Sequence, residues 1–465
     1  MRKSPLKMGL MGLLSVTLVA TSSAVYSADL MTIWRAAQTN DPGYRAAKTD
    51  QRAGLTRLEQ AKALSRPQVS LTGAAGVTSL YGSTQGAQFY SSQMGGGGPY
   101  EKAEFNTSIY LGATARAALV AVAPLFDKTI ESNARQLQLS SQVTDLMADV
   151  SRQFLAISVV ERYLDVLAAQ EMVRLTSQQL GALEKTHAQL ERRLKLGDVS
   201  RVDVDESLER IAQLRAERLA RESQLVVANR ALADLAGKQH TLAGPAFQAA
   251  AIRSLSSASL DQLVTDFKTS HPLLRAVDLR RQISLLEAKK YSSGQDGVRV
   301  SAVGSVGFDR AEGYGDYGHA SQTSANQFVG VQVTVPLSTG GYRSAKAQEM
   351  AIEADRLMDE RAQRALELEQ GARAAHLAAQ ASQVRLDVLA QRLATAKQRL
   401  VNTQKAYEQG ARSTLEWLAA QSAVFDAEGQ LYLERLAIAR QLARRQAQAG
   451  QLLEAQLGQL DQYLR

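Results

Sequence analysis

Five histidines, His187, His240, His271, His319 and His376, are the first residues to weigh for chemistry, because imidazole is a common general base and metal ligand. They are scattered. None stands at metal-ligand spacing from another or beside a compelling nucleophile, so neither a zinc site nor a hydrolytic triad is expected. His187 and His376 read as surface or packing residues of helices, and His271, just before Pro272, as a turn cap. The chain has no cysteine, which excludes thiolate sites, disulfides and an acylated N-terminal cysteine. No catalytic residue, cofactor or metal is expected. The charged residues that stand out lie in two short turns, "RRLKLGDVSRVDVDES" and "KAYEQGARSTLEWLAA". In each, a glycine (Gly197 or Gly410) suits the end of one helix, and a serine (Ser200 or Ser413) suits the cap of the next. Arg412 and Glu416 stand four apart, a spacing that permits a local helical pair.

These turns belong to an internal repeat. "LMTIWRAAQTNDPGYRA" (Leu30 to Ala46) aligns with "LDQLVTDFKTSHPLLRA" (Leu260 to Ala276), with Pro42 facing Pro272 at an offset of 230. Further on, Pro124 pairs with Pro336 and Gly197 with Gly410. A tandem duplication follows, each copy reading as short helix, longer helix, strand, loop, strand, very long helix, turn and long helix. The start of the chain has its own layout. Arg2, Lys3 and Lys7 precede an apolar run from Met8 to Ala20 and the small residues "TSSAVYSA", as in a secretory signal peptide. The expected divisions are a signal peptide at 1–28, a first repeat at 29–236, a connector at 237–259, a second repeat at 260–450 and a tail at 451–465.

The strands alternate clearly. Phe105, Thr107, Ile109, Leu111, Ala113, Ala115, Ala117 and Leu119 are expected on one mostly apolar face, opposite Glu104, Asn106, Ser108, Gly112, Thr114 and Arg116. Val329, Val331, Val333 and Val335 repeat the pattern. Weaker partners run through Val69, Leu71, Ala75 and Val77, and through Val298, Val300, Ala302, Val306 and Phe308. The expected strands span about 68–80, 104–120, 298–309 and 326–336, enough to cross a bilayer core at a tilt. Between them, Tyr81–Ala103 and Arg310–Ala325 are polar, glycine-rich and dotted with tyrosines, and read as loops outside a membrane, with Gly95–Gly98 the most open. A four-stranded soluble sheet is the competing reading, and these segments weaken it. Four spanning strands leave two open edges that lipid does not tolerate, so copies must close the sheet. Two chains would supply eight strands and three would supply twelve.

The helices form the scaffold. Asp127 to Leu194 holds no proline and one glycine, Gly181, so a continuous helix would be about 100 Å long. Val143, Leu146, Val150, Phe154, Ile157, Val160, Leu164 and Leu167 mark a seam for another helix, and Leu386, Leu389, Leu393, Ala396 and Leu400 mark its counterpart. Two helical hairpins, at about 127–236 and 343–445, should point the same way, with tips near 197 and 410. A net charge of +8 diluted over 465 residues, without a basic block, gives no nucleic-acid footprint.

At this point the chain resembles the TolC family of outer-membrane efflux and type I secretion channels. The resemblance rests on the duplicated "NDP" and "SHP" segments, "RPQVS", "VAPLFD", "VTVPLSTGG" and "YEQGARSTLEWLAAQ", in that order and spacing. It implies a mainly α chain with a membrane β-barrel: a homotrimer giving four strands per protomer to a twelve-stranded barrel, continued by a periplasmic α-helical barrel. It implies the outer membrane of a Gram-negative bacterium and its lipid as the site. A periplasmic adaptor and an inner-membrane ABC or RND-type transporter would be the partners, and there would be no catalytic residues and no cofactor. Carried over by position, the periplasmic gate falls on Asp203, Tyr407, Arg412 and Glu416, and the hairpin tips that meet the adaptor on Gly197, Asp198, Gly410 and Ala411. Two departures follow: a second pore-facing acid would fall on Ala419, and the polar neighbour of Asp203 is Val202. The rival readings are an enzyme, which the histidines do not support, and a periplasmic adaptor or structural coiled-coil protein of an export system. An adaptor needs soluble β-domains around one hairpin, not strands of spanning length in a full-length duplication.

Overall fold

The computed structural model describes residues 28–89, 100–248, 264–265, 268–292, 297–316 and 318–465. The signal-peptide segment through Ser27 and the Gly95–Gly98 run lie outside them. In chain order, α1 (Leu30–Asn40) and α2 (Pro42–Ala63) lead into β1 (Gln68–Phe89) and β2 (Tyr100–Asp127). The hairpin α3 (Lys128–Lys195) and α4 (Arg201–Ala236) follows. The second copy gives α5 (Pro272–Ser292), β3 (Arg299–Gly315), β4 (Gly318–Thr334), α6 (Tyr342–Glu408) and α7 (Thr414–Gln448), and α8 (Glu454–Leu464) closes the chain. Proline starts α2 and α5 for the same reason, since its fixed φ suits the first turn and the missing N–H costs nothing there. Asp41 caps the first by accepting from the Tyr44 N–H at 2.6 Å, and His271 Nδ1 accepts from the Leu273 N–H at 3.2 Å in the second.

The four strands form one antiparallel sheet in the order β1-β2-β3-β4, with β1 and β4 as open edges. Opposed residues point to the same face. Leu71, Leu119 and Val306 line up across three strands, and Val300, Ala302 and Gly304 face Val333, Val331 and Val329. This face is apolar and exposed. The other carries Ser70, Thr72, Thr114, Arg116, Ser301, Ser305, Asp309, Asn326 and Gln332. The apolar belt is oblique: on β1 and β2 it lies opposite Leu119 and Ala113, whereas on β4 it has moved toward the helical end, opposite Val300 and Gly304.

Three expectations are corrected. Thr78 lies opposite Gly112 and Leu80 opposite Ile109, so Ser79 faces both Tyr110 and Leu111 in a β-bulge. The extra residue reverses the alternation, and Thr107 and Ile109 fall on the polar-face side with Gly112, away from Leu111 to Leu119. A leucine at Thr107 would therefore not face lipid. Gly112 serves this bulge, because a Cβ there would stand 2.7 Å from the Glu312 carbonyl oxygen. Next, Arg310 to Ala325 is not a loop, and both ends of Tyr81–Ala103 are strand as well: β1 and β2 stay paired up to Phe89 opposite Tyr100, and β3 and β4 up to Gly315 opposite Gly318, with Tyr314 and His319 in edge contact at 5.3 Å. Polar side chains on both faces hid a strand that extends past the apolar belt. Finally, Phe154 is 66% exposed and Leu155 packs inward in its place.

The main core sits where α3, α7, α1 and α8 meet, around Ile33, Trp34, Val160, Leu164, Ile438, Leu442, Leu457 and Leu460. The seam of α6 is only half-buried, from Leu386 to Leu400, and Ile352, Leu377, Val384 and Val388 are exposed.

Candidate gate at the hairpin tips

Both long helices end in the same backbone motif, 213 residues apart. Gly197 and Gly410 have φ of 83° and 73°, left-handed values that favour glycine. After each, an N–H closes the helix end in a Schellman-type turn: Asp198 donates to the Arg193 carbonyl at 2.9 Å, and Ala411 to the Ala406 carbonyl at 2.8 Å. The returning helices begin with capping boxes. The Ser200 and Ser413 hydroxyls each accept from the N–H three residues on, at 3.2 Å, while Asp203 and Glu416 accept from the serine N–H at 3.0 Å. Gly197, Asp198, Gly410 and Ala411 are exposed at the extremities.

Tyr407, Asp203, Arg412 and Glu416 come to one end of the molecule but not into one contact. Tyr407 is buried in a small core with Leu190, Val204 and Trp417, between the two hairpins. Its ring stacks on Trp417 at 4.9 Å and 18°, and the Arg193 guanidinium lies 5.1 Å over it. Its hydroxyl is buried without a hydrogen-bond partner among the described residues. Arg412 pairs with Glu416 on its own helix. Asp203 instead lies near Thr414, whose side chain helps to hold its carboxyl down, so a carboxylate of one copy lies against the first turn of the other copy's returning helix. Sequence reading missed Trp417, Arg193 and Thr414. The signal for Trp417 was a scarce residue, one of two tryptophans, placed at a tip.

Burial would raise the Asp203 carboxyl, but hydrogen bonds from Ser200 and Thr414 and the nearby Arg193 charge hold it below its ordinary value of 3.8. Glu416 is held below 4.5 by the Ser413 N–H and then by Arg412. Depressed carboxylates stabilise the fold above their unfolded values and lose that contribution as pH falls through the folded ones. The tips should therefore loosen as pH falls below about 4. With Trp34→Phe leaving Trp417 as the reporter, its fluorescence should shift between pH 5 and pH 3, and Asp203→Asn with Glu416→Gln should abolish that transition.

The sequence model of the outer membrane efflux protein family matches residues 286–451. The outer membrane protein TolC of Vibrio cholerae is 22% identical over 425 residues, covering 90% of this chain and 89% of that one. The chain is thus similar to TolC and, over its second copy, to the outer membrane efflux protein family. The alkaline protease secretion protein AprF of Pseudomonas aeruginosa is 24% identical over 345 residues, covering 72% of this chain and 69% of its own. Among solved structures, CusC superposes with a TM-score of 0.69 at 16% identity, covering 91% of this chain and 92% of CusC. That likeness shows the fold. No helix among the described residues is long and apolar enough to cross a membrane.

Proposed function

We propose that the protein is the outer-membrane exit channel of a tripartite efflux or type I secretion system. It passes small molecules or unfolded protein outward from an inner-membrane transporter and a periplasmic adaptor. The observation that carries this reading is the sheet: two-faced and open at both edges, it leads into helices of 68 and 67 residues, directly after β2 and through a short segment after β4. Lipid does not accept open edges, so the chain works as an oligomer. A homotrimer fits the family, and the half-buried α6 seam with the exposed Val226 and Val227 of α4 supplies apolar surface for neighbouring chains to cover. Mass measurement of the detergent-solubilised particle should give three chains.

The gate is assigned to Asp203, Tyr407, Arg412 and Glu416, and adaptor contact to the tips at Gly197, Asp198, Gly410 and Ala411. Asp203 and Tyr407 hold the two hairpins of one chain together, while the Arg412–Glu416 pair lies exposed at the tip and is free to exchange partners in a ring. Asp203 sits against Thr414 of the other copy and Arg412 carries the exposed charge at the tip, so losing either removes an electrostatic contribution to closure that the serine hydroxyls do not supply. Asp203→Ala and Arg412→Ser should therefore raise closed-state conductance in planar bilayers, and Glu416→Gln should weaken cation preference without preventing assembly. Ser200→Ala and Ser413→Ala are the controls, since they loosen the caps and leave the charges. The gate assignment fails if all three charge variants assemble and keep parental conductance and selectivity, or if the serine variants reproduce every change.

A further inference from the structure

We propose that Arg116 is a cargo contact inside the barrel, forming with Asp309 and Asn326 an anion-recognising site on the lumen wall, a full helix length from the tips. This rests on the channel reading, which makes the polar face of the sheet the lumen. Arg116 on β2 lies directly opposite Asp309 on β3, with Nε 3.5 Å from Oδ1. Asn326 on β4 donates from Nδ2 to the other carboxylate oxygen at 2.9 Å. That second bond is diagonal, since the register partner of Asn326 is Gly307. A Cβ at Gly307 would collide with Asn326 Oδ1, so the glycine leaves the space in which Asn326 leans toward Asp309.

The consequence is an uneven pair. Both Asp309 oxygens are engaged and its side chain is 35% exposed, whereas that of Arg116 is 63% exposed. The Arg116 Nη groups make no hydrogen bond among the described residues. The water-facing partner is thus a donor-only fork, backed by a carboxylate that holds its stem. Neighbours around Arg116 on this face are small and uncharged: Ala74, Thr114, Ala118, Gly307 and Ala311. A guanidinium presented in this way suits carboxylate or phosphate groups, which it binds bidentately, and lysine would supply charge without the fork. Repeated around a closed barrel, it would favour anions at a point where no gate is needed.

The test uses the full chain in planar bilayers under a KCl gradient. Arg116→Gln should lower the chloride-to-potassium permeability ratio about twofold, and Asp309→Asn, which removes the backing charge, should raise it by a similar factor. Citrate and tripolyphosphate, added separately, should reduce parental conductance and leave Arg116→Gln unaffected; block by one alone names the preferred group. Arg116→Lys should keep the permeability ratio and lose the block, which separates recognition from assembly if glutamine at this position folds poorly. The cysteine-free chain allows an orientation control: a charged thiol reagent should change the conductance of Arg116→Cys and not of Leu119→Cys. If the parental protein conducts while both charge variants keep its permeability ratio, the site is wrong and the channel stands. If the assembled parental protein does not conduct, both readings fall.

Discussion

Arginine at Leu71 should strip the outer membrane of assembled protein, while arginine at the adjacent Thr72 should leave assembly nearly intact. Leu71 is 77% exposed on the apolar face, in line with Leu119 and Val306, and Thr72 points to the other face. A lipid-facing arginine near the bilayer midplane costs ~2–4 kcal/mol, and an oligomer incurs that cost once per chain. On the lumen side the same side chain meets water and costs little. Quantifying the heat-resistant oligomer in isolated outer membranes checks the pair, and equal recovery of the two variants would sink the assignment of the faces.

Truncation of the tip core should be the largest change at the periplasmic end. Tyr407→Ala removes a ring stacked on Trp417 and covered by Arg193, a loss of ~3–5 kcal/mol for a buried aromatic. Because that ring bridges the hairpins of the two copies, their tips should separate and closed-state conductance should rise well beyond that of the cap variants. Tyr407→Phe divides packing from polar closure. The buried hydroxyl has no partner among the described residues, so phenylalanine should behave as the parental protein if packing is the whole role. A conductance increase from Tyr407→Phe would instead mean that the hydroxyl bonds across to another subunit.

The residues differ in how legible they were. Alternation through Ala113, Ala115 and Ala117 betrays a two-faced strand because side chains repeat every two residues, and Gly197 and Gly410 betray the tips because few residues take a left-handed angle at low cost. The bulge was illegible: Ile109 and Leu111 are both apolar, so a one-residue slip between them leaves no mark in the pattern. The choice of partner by Arg412 could not be read either, since a spacing of four permits the pair with Glu416 without requiring it. The stacking of Tyr407 on Trp417 under Arg193 was hidden because Arg193 belongs to the other copy, and only tertiary packing brings it across. Burial of Leu155 in place of Phe154 has the same origin, as both sit within reach of a 3.6-residue seam and the neighbouring helices decide between them.

The oblique apolar belt has a consequence for how the chains join. A belt that slides toward the helical end from β1 to β4 means that the strands are inclined to the membrane plane, as a closed sheet with shear requires. When β4 of one chain meets β1 of the next, an unshifted pairing would leave the two belts at different depths. The seam must therefore step back by the stagger accumulated within one sheet, and the bilayer itself selects that step. A misregistered seam would still satisfy its backbone hydrogen bonds, yet it would drag polar segments into the hydrocarbon, so the lipid proofreads a junction that the strand edges alone leave undetermined.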